Sequence, residues 1–260
     1  MKRAVIISIG NELLNGRTAD SNTVWLSGEL FALNIPVAGA YIVPDEKDSI
    51  INALKAASRT GDIILVTGGL GPTDDDITRA CISEFLGAKL ELRESVLAGL
   101  CDYFNGRGYK MPEINTRQAY IPEGAEVLEN FRGTAPGIYA EKNSRIYAVM
   151  PGVPSEMKAM FTCCLKSRLE AVSGGIYFKQ LKINCFGAGE SSVNEIVGDM
   201  CRRGRNPQVN STCSRGVISL INCVSISLSF KYTFSKSMFM PSYSYSDAYA
   251  STCFKKLSLA

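Results

Sequence analysis

Three strand–helix units in succession predict an α/β chain, a three-layer sandwich built on a mostly parallel sheet. Residues 3–9 are rich in β-branched side chains and stop at Gly10, as a buried strand does. Residues 62–67 are almost continuous Ile, Leu and Val, as expected of a strand covered on both faces. The intervals between strands carry helix patterns opened by capping residues.

In order, Asp20-Ser21-Asn22 supplies caps for a helix bearing Val24, Trp25, Leu30 and Leu33, which Asn34-Ile35-Pro36 stops. A strand is expected at 37–43, then a helix opened by Asp48 with Ile51, Leu54 and Ala57 facing the core. The strand at 62–67 leads through the turn 68–73 into a helix over 75–86. Beyond it the pattern predicts a helix at 94–105, a polar loop at 106–122 and short strands at 137–141 and 145–150 around Asn143-Ser144. A helix follows from the 151–156 segment to about residue 171. The loop 173–175 reads as a boundary, followed by a strand–helix–strand–strand pattern at 178–185, 190–203, 208–213 and 216–220. From residue 222 the composition changes to serine interleaved with Phe, Tyr and Met, with no glycine and one acidic residue, Asp247. No period is sustained there, and a disordered tail is expected. The expected organisation is thus 1–172, 173–221 and a tail of 222–260.

The chain has 260 residues and a net charge of +3, too small for an electrostatic grip on nucleic acid or an anionic membrane. No stretch reaches the roughly 18 apolar residues of a membrane span. Lys2 and Arg3 before an apolar run imitate a secretory signal, but the run ends at Gly10-Asn11-Glu12. There is no histidine, which removes His-based nucleophilic catalysis and His-ligated zinc. The nine cysteines show no C-x-x-C spacing and read as reduced thiols of a cytoplasmic protein. Chemistry is left to carboxylates, hydroxyls, amides, backbone N–H groups and an oxygen-bound metal.

The segment Thr67-Gly68-Gly69-Leu70-Gly71-Pro72-Thr73-Asp74-Asp75-Asp76 ends a parallel strand and opens a helix, where open α/β sheets bind ligands. Its glycines let the backbone approach a phosphate, and a helix N-terminus favours an anion. It has neither the third glycine of a dinucleotide fingerprint nor a P-loop lysine. Three aspartates beside a phosphate call for a hard cation such as Mg²⁺; the alternative is that they only cap the helix. Gly10 and Glu12 follow the first strand on the same rim, Glu12 serving as a metal ligand, as an acceptor from a ribose hydroxyl, or merely as a solvated side chain. Asn22 is either part of the helix cap or a ligand contact. Gly152 and Ser155 form a third rim element, with Glu156 either beside the metal or complementing the helix dipole.

Five motifs in order, Gly10-x-Glu12-Leu13-Leu14-x-Gly16, Thr67-Gly68-Gly69-Leu70-Gly71-Pro72-Thr73-x-Asp75-Asp76, Asn115-x-x-Gln118-Ala119, Asn130-x-x-Gly133-Thr134-Ala135-Pro136-Gly137 and Pro151-Gly152-x-Pro154-Ser155-Glu156, resemble the CinA (competence- and damage-inducible protein) family over residues 4–172. The resemblance implies a molybdopterin-binding, Mog/MoaB-like first domain. Phe186-Gly187-x-Gly189-Glu190-Ser191 and Asn206-Pro207 resemble the family's KH-like second domain, here without a Gly-x-x-Gly clamp, so RNA binding is not implied. Many members continue into a nicotinamide-nucleotide deamidase domain. The serine/aromatic tail stands in its place here, so deamidase activity is not expected and a truncated or frameshifted reading frame is.

The resemblance implies a metal-dependent pyrophosphatase that cleaves ADP-ribose to AMP and ribose 5-phosphate. Asp75, Asp76 and Glu12 would hold a divalent ion (Mg²⁺, Mn²⁺ or Co²⁺, with K⁺ as a further candidate) against a diphosphate lying over the glycine turn. Gly10, Asn22, Thr67, Gly68, Gly69, Gly71, Pro72, Thr73, Asn115, Gln118, Gly152 and Ser155 would contact the substrate. Asn115 and Gln118 have a second reading, stitching their loop to the 133–137 turn. Binding of molybdopterin without hydrolysis and an inactive truncated member are the competing functions. The expected partner is a small nucleotide diphosphate, with neither nucleic acid nor membrane, in a homo-oligomer, a dimer.

Overall fold

The computed structural model describes residues 2–174, 176–187, 189–202, 208–214 and 217–227. In chain order it carries β1 (Ala4–Ile9), a short α1 (Asn11–Leu14), α2 (Ser21–Ala32), β2 (Val37–Val43), α3 (Lys47–Thr60), β3 (Ile63–Thr67), α4 (Thr78–Leu86), β4 (Leu90–Leu92) and α5 (Glu94–Asn105). A 3₁₀ helix (Glu113–Ala119), β5 (Tyr120–Pro122), β6 (Glu126–Leu128), β7 (Gly137–Lys142), β8 (Arg145–Met150), α6 (Pro154–Met160), a π-helical segment (Phe161–Leu165) and α7 (Lys166–Val172) follow.

β1 and β3 are buried at every position, and strands of that kind belong in the middle of a sheet covered on both faces. They lie there, in the order β2-β1-β3-β8-β7-β6. The first four run parallel; β7 is antiparallel to both β8 and β6. Alternation sends Val5, Ile7, Ile64, Val66 and Val149 against Ile50, Leu54 and Ala57 of α3 and Ile82 of α4. It sends Ile6, Ile63, Leu65 and Met150 to the other face, against Leu26 and Leu30 of α2 and Met157, Phe161 and Leu165. Each fully buried Leu or Ile stabilises the fold by about 1.5–3 kcal/mol, so this is the expected three-layer sandwich with its core on both faces of one sheet.

Details of the expected faces shift. Asp20 caps α2 by accepting from the Thr23 N–H at 2.9 Å, but Leu26, Leu30 and Leu33 face the core and Val24 is exposed. In α3 the buried row is Ile50, Ala53, Leu54 and Ala57, with Ile51 at its margin. Asn143 and Ser144 both take positive φ, 52° and 60°, the backbone that a two-residue hairpin between right-twisted strands requires.

Three expectations are corrected. α4 begins at Thr78 rather than at residue 75, because Asp74 and Asp76 spend their side chains on contacts within and beside the turn instead of capping the helix. Residues 106–122 are not a loop throughout: the 3₁₀ helix and β5 occupy their second half, and β5 pairs with β4. The long helix after residue 154 is interrupted by a π-helical turn at Phe161–Leu165.

The last part is an antiparallel sheet of β9 (Ile176–Cys185), β10 (Gln208–Ser214) and β11 (Val217–Ser227), in the order β10-β11-β9, with α8 (Glu190–Val197) and a 3₁₀ turn (Gly198–Cys201) between β9 and β10. The strand–helix–strand–strand order is the expected one, with a shorter helix. β11 runs through Ser227, so residues 222–227, assigned above to the tail, are the end of the central strand. Residues 1–228 form one compact unit that contains the expected boundary at 172/173. The rest of the expected tail, 228–260, lies outside the described residues, as do Gly175, Arg203, Asn206, Pro207 and Gly216. No helix among the described residues is long and apolar enough to cross a membrane. Seven cysteines among the described residues are unpaired; Cys81 is buried, and burial pushes its thiol up to about 11, whereas Cys163 and Cys213 are exposed.

Candidate active site

The carboxyl ends of β1, β3 and β8 are adjacent in the sheet, so the segments that follow them share one rim. They enclose a cavity of about 690 Å³ with Asp45 from the end of β2, Gln118 from the 3₁₀ helix and Thr134-Ala135 from the loop before β7. Small-molecule sites typically measure roughly 300–1,000 Å³.

The glycine turn is shaped by contacts that only glycine permits. Gly68 has φ +103° and Gly69 φ +66°, in the left-handed region that side chains avoid. A Cβ on Gly68 would fall on the Ile9 carbonyl, and one on Gly69 on the Thr78 hydroxyl. The strand end of β1 and the start of α4 therefore press directly on the turn. Three rim carboxylates also lie where a glycine leaves room: Glu12 over Gly10, Asp76 over Gly71 and Glu156 over Gly133.

Of the expected site residues, Gly10, Glu12, Gly68, Gly69, Gly71, Pro72, Asp75, Asp76, Gln118 and Gly152 line the cavity. Asn22, Thr67, Thr73, Asn115 and Ser155 do not, and each absence has a local cause. Asn22 is buried and donates from Nδ2 to the Gly152 carbonyl at 2.8 Å, tying α2 to the third rim segment. Thr67 is buried and its hydroxyl points to Ser8 Oγ at 3.4 Å, within the sheet layer. Thr73 gives its N–H at 2.9 Å and its hydroxyl at 2.5 Å to Asp76 Oδ2, closing the turn on itself. Asn115 donates at 3.0 Å to Gln118 Oε1, and Gln118 Nε2 reaches the Leu70 carbonyl at 3.4 Å. This pair does stitch its loop, but to the glycine turn and not to the 133–137 turn. Ser155 follows Pro154 on the first turn of α6 and makes no capping bond.

The 133–137 turn is organised by Asn130, whose Oδ1 accepts from the N–H groups of Arg132 and Gly133 and whose Nδ2 donates to the Ala135 carbonyl and to Glu156. Asp74 turns away from the cavity to pair with Arg117 at 2.5 Å.

The structure adds Asp45 and Arg17 to the expected site and places Glu156 in it. Asp45 accepts from the Asn11 N–H at 2.9 Å. Burial raises its carboxyl above the usual range, and the charges of Glu12, Asp76 and Asp75 push the same way against the Asn11 bond. Glu12, Asp45, Asp75, Asp76 and Glu156 thus converge on one cavity whose only lining cation is Arg17. They are not packed into a finished cage: among the described residues no group of three or more Asp, Glu, Cys or His is close enough to hold one ion. The expected trio of Glu12, Asp75 and Asp76 shares the cavity without converging on a point. Asp45 carries no motif signal beyond its place at the end of a parallel strand, which was the clue available.

A parallel sheet whose carboxyl rim holds a glycine turn and an acidic cavity defines a small-ligand-binding α/β domain. A family model described as "Probable molybdopterin binding domain" matches residues 5–171. Among curated relatives, a "Putative competence-damage inducible protein" of Natranaerobius thermophilus is 42% identical over 196 residues, covering 75% of this chain and 48% of the relative. A protein of Pyrobaculum calidifontis is 37% identical over 209 residues, covering 80% and 79% respectively. The crystal structure of the protein CinA from Thermoplasma acidophilum aligns with a TM-score of 0.60 at 32% identity, over 65% of this chain and 98% of that one. The chain belongs to the CinA family and carries its Mog/MoaB-like, molybdopterin-binding-type domain. It spans about half the length of the curated relatives named as competence-damage inducible or CinA-like proteins.

Proposed function

We propose that the rim cavity binds a nucleotide-sugar diphosphate, ADP-ribose being the candidate, together with a divalent cation, and hydrolyses it to AMP and a sugar phosphate. The observation that carries this reading is the convergence of five carboxylates on a glycine-lined cavity with a single lining cation. A bare diphosphate would be repelled there; a diphosphate accompanied by a cation would not. The donor set fits a hard ion, because magnesium is usually held by one or two carboxylates and completes its shell with water and phosphate oxygens. Asp75 and Asp76, together with Glu12, would supply such ligands without a preformed cage. When bound, the ion neutralises the diphosphate and lowers the pKa of water.

The protein's own groups do the rest. The bare turn Gly68–Gly71 lets the diphosphate approach the backbone, and Gln118, held by Asn115, braces that turn at the Leu70 carbonyl. Asp45, whose carboxyl is raised by burial, takes the proton of the attacking water and releases it to solvent. One water oxygen joins one phosphorus, the bridging P–O bond breaks, and the two monophosphates leave.

The test is AMP release from ADP-ribose by the purified chain with Mg²⁺, Mn²⁺ or Co²⁺, with and without chelator. Release is expected to be chelator-sensitive and to fall about 100-fold in Asp76→Asn, the scale of losing one charge-stabilising group. Release that persists in both Asp75→Asn and Asp76→Asn overturns the site. The family model favours one competing reading, molybdopterin binding without hydrolysis. Tight molybdopterin binding with no AMP would establish it instead, and neither result would mark an inactive chain.

A further inference from the structure

Directly beneath the glycine turn, on the first turn of α4, Arg79 is only 4% exposed. Its Nη2 donates to the Leu70 carbonyl at 2.8 Å, and its Nε has no hydrogen-bond partner. Among the described residues no carboxylate forms an ion pair with it. A guanidinium buried in this way is costly unless something offsets it. Two features offset it. One is the Leu70 carbonyl, which also accepts from Gln118 and so ties the turn to the 3₁₀ helix. The other is the charge of Asp76, which lies over Gly71 on the same turn and lines the acidic cavity.

We propose that Arg79 is a positioning residue that acts on this cavity from beneath, holding the turn by the Leu70 carbonyl and setting a fixed positive charge against Asp76 on its rim. The reading of the cavity as a site for a cation and a diphosphate together is the one proposed above, and the role of Arg79 rests on it. Burial pushes the guanidinium down to about 10 while the charge of Asp76 acts to raise it, so the two groups feel each other across the turn although they do not touch. A fixed cation there weakens the attraction of the empty cavity for a lone divalent ion and strengthens it for an anion that brings one. Arg79 thereby favours a cation–diphosphate complex over the cation alone.

Binding measurements test this without any need for turnover. The full chain and its variants are titrated with Mn²⁺ alone and with Mn²⁺ plus inorganic pyrophosphate. Arg79→Met is expected to bind Mn²⁺ alone several-fold more tightly and the pyrophosphate complex about tenfold more weakly, the scale of one lost bond to a charged donor. Arg79→Lys, which keeps the charge, is expected to lie near the parent in both titrations. Gln118→Met removes the uncharged donor on the same carbonyl; it is expected to weaken binding of Mn²⁺ plus pyrophosphate and leave binding of Mn²⁺ alone unchanged. Should Arg79→Met not fold, Arg79→Gln, which keeps a donor and loses the charge, takes its place. If the charge-free variant matches Gln118→Met in both titrations, Arg79 only braces the turn and the proposal falls; it falls equally if that variant binds both ligands as the parent does. Absence of AMP release beside the expected binding pattern would overturn the hydrolytic reading and leave this one standing.

Discussion

The central strands of the six-stranded sheet, β1 and β3, bury apolar side chains on both faces, and the segments that follow their carboxyl ends line the cavity. The three-stranded sheet places Val209 and Ile218 in its buried row, yet Ser219 is buried beside them and its hydroxyl donates at 2.8 Å to Asn184, its direct partner across the β11–β9 pair. Ile183, the neighbour of Asn184 on β9, is exposed. In the first sheet stability and chemistry are separated in space, the core in the middle and the reactive groups at one end. In the second, buried polar and apolar side chains adjoin along the central strand.

The contrast is sharpest in the core. Leu65→Ala, in the centre of β3, is expected to cost about 3–4 kcal/mol by denaturant unfolding, whereas Val209→Ala in the three-stranded sheet should cost about 1.5 kcal/mol, the transfer value of its lost carbons alone. Equal costs would show that the second sheet is packed as tightly as the first. Next is Gly69→Ala, which forces a side chain to φ +66° and onto the Thr78 hydroxyl. About 3 kcal/mol of destabilisation is expected from strain and overlap together, and pyrophosphate binding should weaken with it; a neutral substitution would mean that the turn is free to move.

Ser219→Ala is expected to cost only about 0.5–1 kcal/mol, since Asn184 is left at an exposed position where water replaces the hydroxyl. AMP release should stay within a factor of about two, because Ser219 is not among the residues that line the rim cavity. The smallest effect has the opposite sign. Asp45 is raised above its ordinary value of 3.8, so the folded chain holds that proton more tightly than the unfolded chain, and stability declines as pH rises through the interval between the two values. Asp45→Asn should therefore raise the melting temperature at neutral pH by about 2 °C, and the gain should vanish under acid conditions where the native carboxyl is itself protonated. A melting temperature that falls at neutral pH would show that the Asn11–Asp45 bond outweighs burial and repulsion.

The strands at β1 and β3 were legible because burial on both faces leaves an unbroken apolar run, and the glycine turn because Gly68 and Gly69 have no substitute at their φ values. The 3₁₀ helix at Glu113–Ala119 was not, since its anchors are the hydrogen bonds of Asn115 and Gln118 and it shows no apolar period. The start of α4 was misplaced because aspartates that look like caps instead bind Thr73 and Arg117, a choice set by tertiary neighbours. Asp45 escaped notice for a related reason: its importance comes from where β2 ends in space. The 222 boundary failed because a serine-rich composition does not forbid a strand when its partners, as in β9, lie opposite in register.

The wide turn at Phe161–Leu165 keeps a direction as well as a contact. An α-helix advances about 100° per residue, but this turn, closed by the Lys166 N–H on the Phe161 carbonyl, takes one residue more and returns the chain to nearly the same bearing. Phe161 is held edge-on by Trp25 at 5.4 Å between ring centres, and Leu169 is buried one stretch later. The turn thus takes in one extra residue while both anchors stay seated, and excising Cys163 is expected to close the segment into an ordinary α-helix with Leu169 still in its socket.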